Sequence, residues 1–263
     1  MFYIPNIPFA LYHAIKAKNL VFYTAVNPSI ENSGIGTESK YKTMKLVPKK
    51  FLPKTIFHKA NSSITKTIQK VRDTNINFPL IAKPDVGFRG LLVKKITSEI
   101  ELIDYLEKYP IDILIQEFLT EKHECGIFYL RYPNSKNGKI TSITLKEFLH
   151  VIGDGKNTLA HLISKDKRAR NYYDIIDEAN SLPLDTVIRK GEKLCLSAIG
   201  NHSKGTQFIN GNYLINPKLE STITSLNKQI DGWYYGRLDL KYNSIEDLEN
   251  GNFKILELNG ILA

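Results

Sequence analysis

Apolar positions along this chain repeat with two periods. Spacings of three and four, the mark of one helical face, run through residues 8–19, 61–71, 98–108 and 216–230, with a shorter helical stretch at 39–44. Asn61 or Ser62 is placed to cap the second of these, and Ser98 with Glu101 forms a capping box that opens the third. Short apolar or alternating runs bounded by Gly, Pro and Asn predict strands at 20–26, 54–58, 78–84, 91–96, 111–119, 123–132 and 139–148. Two more, 233–242 and 253–260, close the chain, and the stretch 243–251 between them reads as a capped turn of helix with a tight return. Strands so joined can pair as neighbours. By alternation Arg237 shares a face with Asp239, and Glu257 shares one with Asn259, Phe253 and Ile255, so the polarity of that face is confined to one end.

Polar, glycine-bearing loops punctuate the pattern at 27–36, 85–90, 153–158 and 200–205. The loop at 27–36 follows a predicted strand, as substrate-binding loops often do. That at 85–90 exposes backbone N–H groups beside Lys83, which Pro84 holds extended. It is not a Walker loop, because the GxxxxGK[ST] order is missing and a strand follows where a helix should open. The turn at 153–158 also caps the helix that begins near Leu159, and residues 165–170 are densely basic, either a cationic flap over phosphates or a solvated helix end. The turn around Asn201 and His202 is a further candidate for facing substrate, although a lone histidine does not identify a base.

Composition narrows the partners. The 263 residues can bury a core and fill one large or two modest domains. A net charge of +9 and a pI near 9.3 favour anionic partners: a phosphorylated small molecule, nucleic acid or lipid. Nucleic acid is disfavoured, since the basic residues are dispersed and no basic-aromatic motif accompanies them. Cys125 and Cys195 stand far apart with no metal-ligand spacing, which fits a reducing cytoplasm. The amino end is broken by Pro5 and Pro8 and lacks a basic start, so it makes a poor signal peptide, and no apolar stretch is long enough to span a bilayer. No membrane partner is expected on that ground.

The candidate chemistry lies in the closing strands. Asp239, Glu257 and Asn259 form either a solvated hairpin face, a reading that Phe253 and Ile255 on the same face weaken, or a hard-oxygen set of two carboxylates and an amide that suits Mg²⁺, with Arg237 beside the charge the metal collects. Upstream, the strand ending at Glu117 reads on its own as an ordinary core strand, or, with its backbone beside apolar side chains, as the wall of the dry slot an adenine ring needs.

The order of pieces is distinctive: strand-Lys83-Pro84 with a glycine turn, the apolar strand ending Gln116-Glu117-Phe118, the Gly153-Asp154-Gly155 loop, then Arg237-x-Asp239 and Glu257-x-Asn259. It resembles the ATP-grasp superfamily, in particular carboxylate–amine ligases of the D-alanine–D-alanine ligase and cyanophycin synthetase kind, over about residues 54 to 260. The resemblance implies an α+β fold whose two lobes hold ATP between antiparallel sheets. A reduced amino-terminal region, 1–53, would precede an ATP-grasp domain over 54–263, with lobe one at about 54–118 and lobe two at about 119–263. It implies that Lys83 and Lys146 hold phosphates under a loop from Gly87 to Gly90. Gln116, Glu117 and Phe118 would line the adenine slot, and Glu124 would face the ribose. Asp239, Glu257 and Asn259 would ligate Mg²⁺, while Arg237 and Arg131 would face the transferring phosphoryl group. The implied reaction consumes ATP and joins a small-molecule carboxylate to an amine through an acyl phosphate. Oligomeric state, homo-oligomer included, is left open.

The likeness has departures. Related glycine loops often carry an acidic residue where this chain has Phe88, the amino-terminal region is shorter than the usual substrate-binding domain, and the chain stops soon after Asn259-Gly260. The expectation is therefore a reduced substrate site, one completed by another subunit, or a truncated module that binds nucleotide with little catalysis.

Overall fold

The structure, a computed structural model, describes residues 4–262 apart from 88, 89, 175, 177–181, 198, 199, 202 and 203. Phe88 and His202, singled out above, lie outside the described residues. Two antiparallel sheets dominate. The first holds four strands in the order β1 (Thr55–His58), β4 (Ile113–Glu117), β2 (Leu80–Pro84) and β3 (Lys94–Ile96). Helices Ile64–Asp73 and Glu99–Lys108 supply one core for it, with Ile68, Val71, Leu102 and Leu106 on Leu80, Ala82, Ile96 and Ile115. Both helices start where a serine hydroxyl accepts the N–H of the residue three positions on, Ser63 from Lys66 and Ser98 from Glu101. The Glu101 carboxylate closes its box on the Thr97 N–H at 2.7 Å, one residue before the cap.

The second sheet runs β11 (Phe253–Asn259), β10 (Tyr235–Tyr242), β5 (His123–Leu130), β6 (Lys139–Glu147) and β9 (Gln207–Asn210). Helices Pro217–Asn227 and Ile245–Asn250 contribute to the core on one of its faces, around Trp233, Tyr129, Leu238 and Leu240. A small two-stranded antiparallel sheet, β7 (His150–Ile152) with β8 (Lys193–Cys195), packs with the helix Leu159–Lys165 in a separate cluster around Leu149, Leu159 and Ile188.

Three sequence expectations are corrected. Residues 20–26 form no strand: Asn19 Oδ1 accepts the Val21 N–H and Thr24 Oγ1 donates to Val21 O, and these local bonds turn the chain through Phe22–Ala25. Only Lys94–Ile96 of the 91–96 run pairs, because Gly90 and Leu92 take positive φ angles of 74° and 59° that break the extended backbone. The third concerns β11. Alternation placed Phe253, Ile255, Glu257 and Asn259 on one face, but Leu240 opposes Ile255 while Asp239 opposes Glu257, so Leu256 is an extra, unopposed residue. This β-bulge reverses the pattern. Phe253, Ile255 and Leu258 enter the core, while Glu257 and Asn259 are half-buried beside Asp239 and Arg237, away from it.

Candidate functional site

Asp239 opposes Gly126 on one side and Glu257 on the other, so the middle of the second sheet presents a continuous polar face opposite its core. Arg237 donates from Nε to Asp239 Oδ1 at 2.9 Å and from Nη2 to Oδ2 at 3.0 Å. Asn259 Nδ2 reaches Asp239 Oδ2 at 3.2 Å, and Lys146 Nζ lies 2.6 Å from Glu124 Oε1 and 3.5 Å from Asp239 Oδ1. Gly126 is what allows this. A Cβ there would stand 2.8 Å from Arg237 Cδ and 3.0 Å from Asp239 Oδ1.

The first sheet reaches into the same cluster. Lys83, at the end of β2 and almost fully buried, donates to Leu256 O at 3.2 Å, the carbonyl of the bulged residue. Lys40, which opens the short helix Lys40–Met44, completes the bridge: its Nζ donates to Gly87 O at 2.9 Å and stands 3.6 Å from Glu257 Oε1. Asp85 fixes that helix by accepting the Tyr41 N–H on Oδ1 at 2.7 Å and the Lys40 N–H on its carbonyl at 3.1 Å. Four cations, Lys40, Lys83, Lys146 and Arg237, thus surround three carboxylates, Glu124, Asp239 and Glu257.

Burial and pairing compete at each group. Burial pulls the Lys83 ammonium below its ordinary value, and Glu257 offsets this only in part. At Lys146 burial pulls the same way, but Asp239 and Glu124 outweigh it and hold the ammonium above its usual value. Burial would raise the Asp239 carboxyl; Lys146 and Arg237 win and keep it below the ordinary carboxylate range.

Two turns roof the cluster. Gly200 sits on Glu124, where a Cβ would come 2.3 Å from Oε1, and Gly90 lies against Asn201, 3.1 Å from its amide nitrogen by the same construction. Two of the four glycine-bearing loops, 85–90 and 200–205, thus meet each other, and Gly200 lies on Glu124. The loop at 27–36 is tied to the far end of the closing strands. Buried Asn27 accepts the Tyr234 and Tyr235 N–H groups and donates to Ser33 O and Tyr235 O, while Ile261 N donates to Ser33 O.

The predicted adenine-slot residues divide. Gln116 is buried, with Nε2 donating to Thr55 Oγ1 at 2.9 Å and 3.4 Å from Met44 Sδ. Glu117 Oε1 accepts the Lys54 N–H, which holds the edge of the first sheet. Phe118 lies between the sheets: Lys95 of β3 stands 4.6 Å and Lys241 of β10 5.9 Å from its ring centroid. Glu124, read as a ribose contact, is buried with its carboxylate on Lys146. Arg131 does not join the cluster. One residue beyond β5, it stacks on Tyr234 at 4.7 Å and donates to Asn227 Oδ1 on the helix Pro217–Asn227, because alternation turns it to the core side of the sheet.

Lys40, Asp85, Gly126, Lys95 and Lys241 were missed by sequence reasoning. Lys40 carried a faint signal, a lysine just past a serine that caps a short helix, whereas Gly126 carried none. A separate cavity of about 530 Å³ lies between the Phe51–Phe253 stack and the helix Pro217–Asn227, and none of the clustered charges lines it.

Whether Mg²⁺ fits can be judged from the donors. Among the described residues no group of three or more His, Cys, Asp or Glu could hold a metal ion. A metal here would rest on Asp239 and Glu257, which oppose each other across β10 and β11, with phosphate and water oxygens completing its shell. Asn259 turns its amide nitrogen to Asp239, and a flip of the amide presents the oxygen instead. The set suits a hard cation shared with a polyphosphate.

No protein-family model matches the chain, and no curated protein does. Among solved structures it is similar to the VanG D-Ala:D-Ser ligase from Enterococcus faecalis, at 16% identity and a TM-score of 0.51, over 85% of this chain and 52% of that one. It also matches a D-alanine–D-alanine ligase from Bacillus anthracis (14% identity, TM-score 0.47, 86% of this chain and 57% of that one). A third match is a bifunctional glutathione synthetase from Pasteurella multocida (16%, 0.43, 85% and 32%). The chain spans between about a third and three fifths of the length of these structures. It has the ATP-grasp fold.

Proposed function

We propose that this chain binds ATP with Mg²⁺ between its two sheets and activates a substrate carboxylate for attack by an amine. The observation that carries this reading is the meeting of Lys83, from the first sheet, with the Glu257, Asp239 and Arg237 face of the second, through the carbonyl freed by the bulge at Leu256. Phosphoryl transfer needs positioned charge more than a protein nucleophile, and the cluster offers charge of both signs, largely buried.

In this reading Lys83, Lys146 and Lys40 hold the phosphate oxygens, with Gly87 and Gly90 on the turn above them. Phe118, Gln116 and Glu117 border the base, and Glu124 orients Lys146 or a sugar hydroxyl. Bound Mg²⁺ supplies neutralisation of the polyphosphate, held by Asp239, Glu257 and Asn259. Arg237 holds the carboxylate that gains the phosphoryl group. The substrate carboxylate oxygen forms a bond to the terminal phosphorus as the bond to ADP breaks. The amine then attacks the acyl carbon, phosphate leaves with the C–O electron pair, and the amine loses a proton. Arg131 has no role in the scheme.

A second reading, a nucleotide-binding module without turnover, is favoured by one specific feature: Asp239 is already paired with Arg237, Lys146 and Asn259, and Glu257 with Lys40. Coupled ADP-release assays over a panel of amino acids and hydroxy acids, each with and without a second amine, separate the two. The ligase reading requires release that depends on Mg²⁺ and on a carboxylate. Nucleotide binding with no stimulation by any pair would leave the module reading.

A further inference from the structure

The amino-terminal helix is built inside out. In Ile7–Ala17 only Ala14 is buried, and the bulky residues face outward: Phe9 is 67% and Ile15 77% exposed, and Leu20 just beyond the helix is 78% exposed. A helix of a soluble domain turns such residues inward. Ile7, Leu11 and Ile15 recur every four residues to form one stripe, and Tyr12 and Phe9 widen it, with Lys16 between these two at one edge. The segment is folded upon itself, with His13 edge-on to Phe9 at 4.4 Å and 6.2 Å from Phe22, so the apolar arc is held as a surface. Nine large apolar side chains are exposed between residues 4 and 23. Single exposed apolar residues are ordinary; a contiguous patch of this kind marks an interaction site.

Charge selects the occupant. The first thirty residues contain no Asp or Glu, Lys16 and Lys18 edge the arc, and the chain as a whole carries +9. A second copy of the chain is the weaker fit. In a two-fold interface the same patch meets itself, and this segment, with 17 of residues 4–23 exposed, offers Lys16 and Lys18 but no acid to pair with a partner copy's lysines. A lipid surface requires no complementary shape, only apolar depth and negative charge. The helix does not cross it: among the described residues none is long and apolar enough to do so. The expectation of no membrane partner rested on span length, which a helix lying in the interface does not need.

We propose that residues 4–23 dock on an anionic membrane surface, with the Phe9–Ile15 arc in the acyl boundary and Lys16 and Lys18 among the headgroups. The proposal is independent of the nucleotide site. The test is co-sedimentation of the full chain with vesicles of phosphatidylcholine alone or with 30 mol% phosphatidylglycerol (roughly a third anionic lipid), beside sedimentation velocity without lipid. The expected result is partition onto the anionic vesicles that falls at least tenfold in the double variant Phe9→Glu, Ile15→Glu. A charge-matched control, Ser221→Glu with Ser225→Glu on an exposed face of the helix Pro217–Asn227, should keep most of the binding. An equal loss in the control would show that overall charge drives binding and would overturn the proposal. So would wild-type protein left in the supernatant with both vesicle types. A lipid-free dimer that the Phe9 and Ile15 changes dissociate would assign the patch to a second copy instead.

Discussion

Gly126 decides whether Arg237 and Asp239 can lie flat on the sheet, because any side chain there meets Arg237 Cδ and Asp239 Oδ1 within 3.0 Å. Gly126→Ala should cost about 1–3 kcal/mol by overpacking. It should also lower ADP release by more than tenfold, and wild-type turnover in this variant would show that the Arg237–Asp239 geometry is not used. Asp239 itself has two duties. Replacing it by Asn strands Arg237 and weakens the hold on Lys146, a loss of about 3 kcal/mol on the scale of broken buried pairs, measurable by urea unfolding at pH 7. The sign of its pH dependence follows from its lowered value. The unfolded chain binds a proton at this carboxyl more readily than the folded one, so its stabilising contribution is complete above the ordinary carboxylate range of about 4 and is lost as pH falls through the lower folded-state value. Asp239→Asn should therefore flatten the stability profile below about pH 4. A profile parallel to that of wild type throughout would remove Asp239 from the acid-labile set.

At the level of elements, the bulge in β11 does what strict alternation cannot. It lets Phe253 and Ile255 stay in the core and Glu257 oppose Asp239, and it frees the Leu256 carbonyl for Lys83. Deleting Leu256 leaves Ile255 opposite Leu240 and Glu257 opposite Asp239, so the ladder becomes regular while the anchor of Lys83 is lost. The deletion variant should keep a native far-UV circular dichroism spectrum and bind ATP about tenfold more weakly, the worth of one hydrogen bond to a charged group. Unchanged affinity would mean that Lys83 is positioned by other contacts. The same strand shows how far the sequence could be read. The helix after Ser98 was visible because the cap and the apolar period agree, whereas for the helix Ile64–Asp73 the sequence pointed to Asn61 or Ser62 and the hydroxyl that accepts the Lys66 N–H is that of Ser63. The β10–β11 return was visible through its polar helix between two apolar runs. The bulge was not, since nothing local marks an extra residue, and neither were the contacts that bring Lys40 and Asp85 from an early segment to the glycine turn. Residues 20–26 misled because apolar β-formers predict a strand only where a neighbouring strand exists to pair with them.

On the scale of the whole molecule, the two sheets are tied together at the cluster by Lys83 to Leu256 O and by Lys40 between Gly87 O and Glu257. A nucleotide bound there would touch both, so its effect on stability should be global. At a hundred times its dissociation constant, ATP with Mg²⁺ should stabilise the chain by about 2.7 kcal/mol in a single cooperative transition. A shift confined to one of two resolved transitions would place the ligand on one sheet alone. The most direct test of the central claim is calorimetric titration of a non-hydrolysable ATP analogue into wild type, Lys83→Met and Glu257→Gln, each with and without Mg²⁺. The account predicts one equivalent bound by wild type, at least tenfold weaker binding to Lys83→Met under both conditions, and weaker binding to Glu257→Gln only when Mg²⁺ is present. Equal dissociation constants for all three proteins, with Mg²⁺ making no difference, would contradict it.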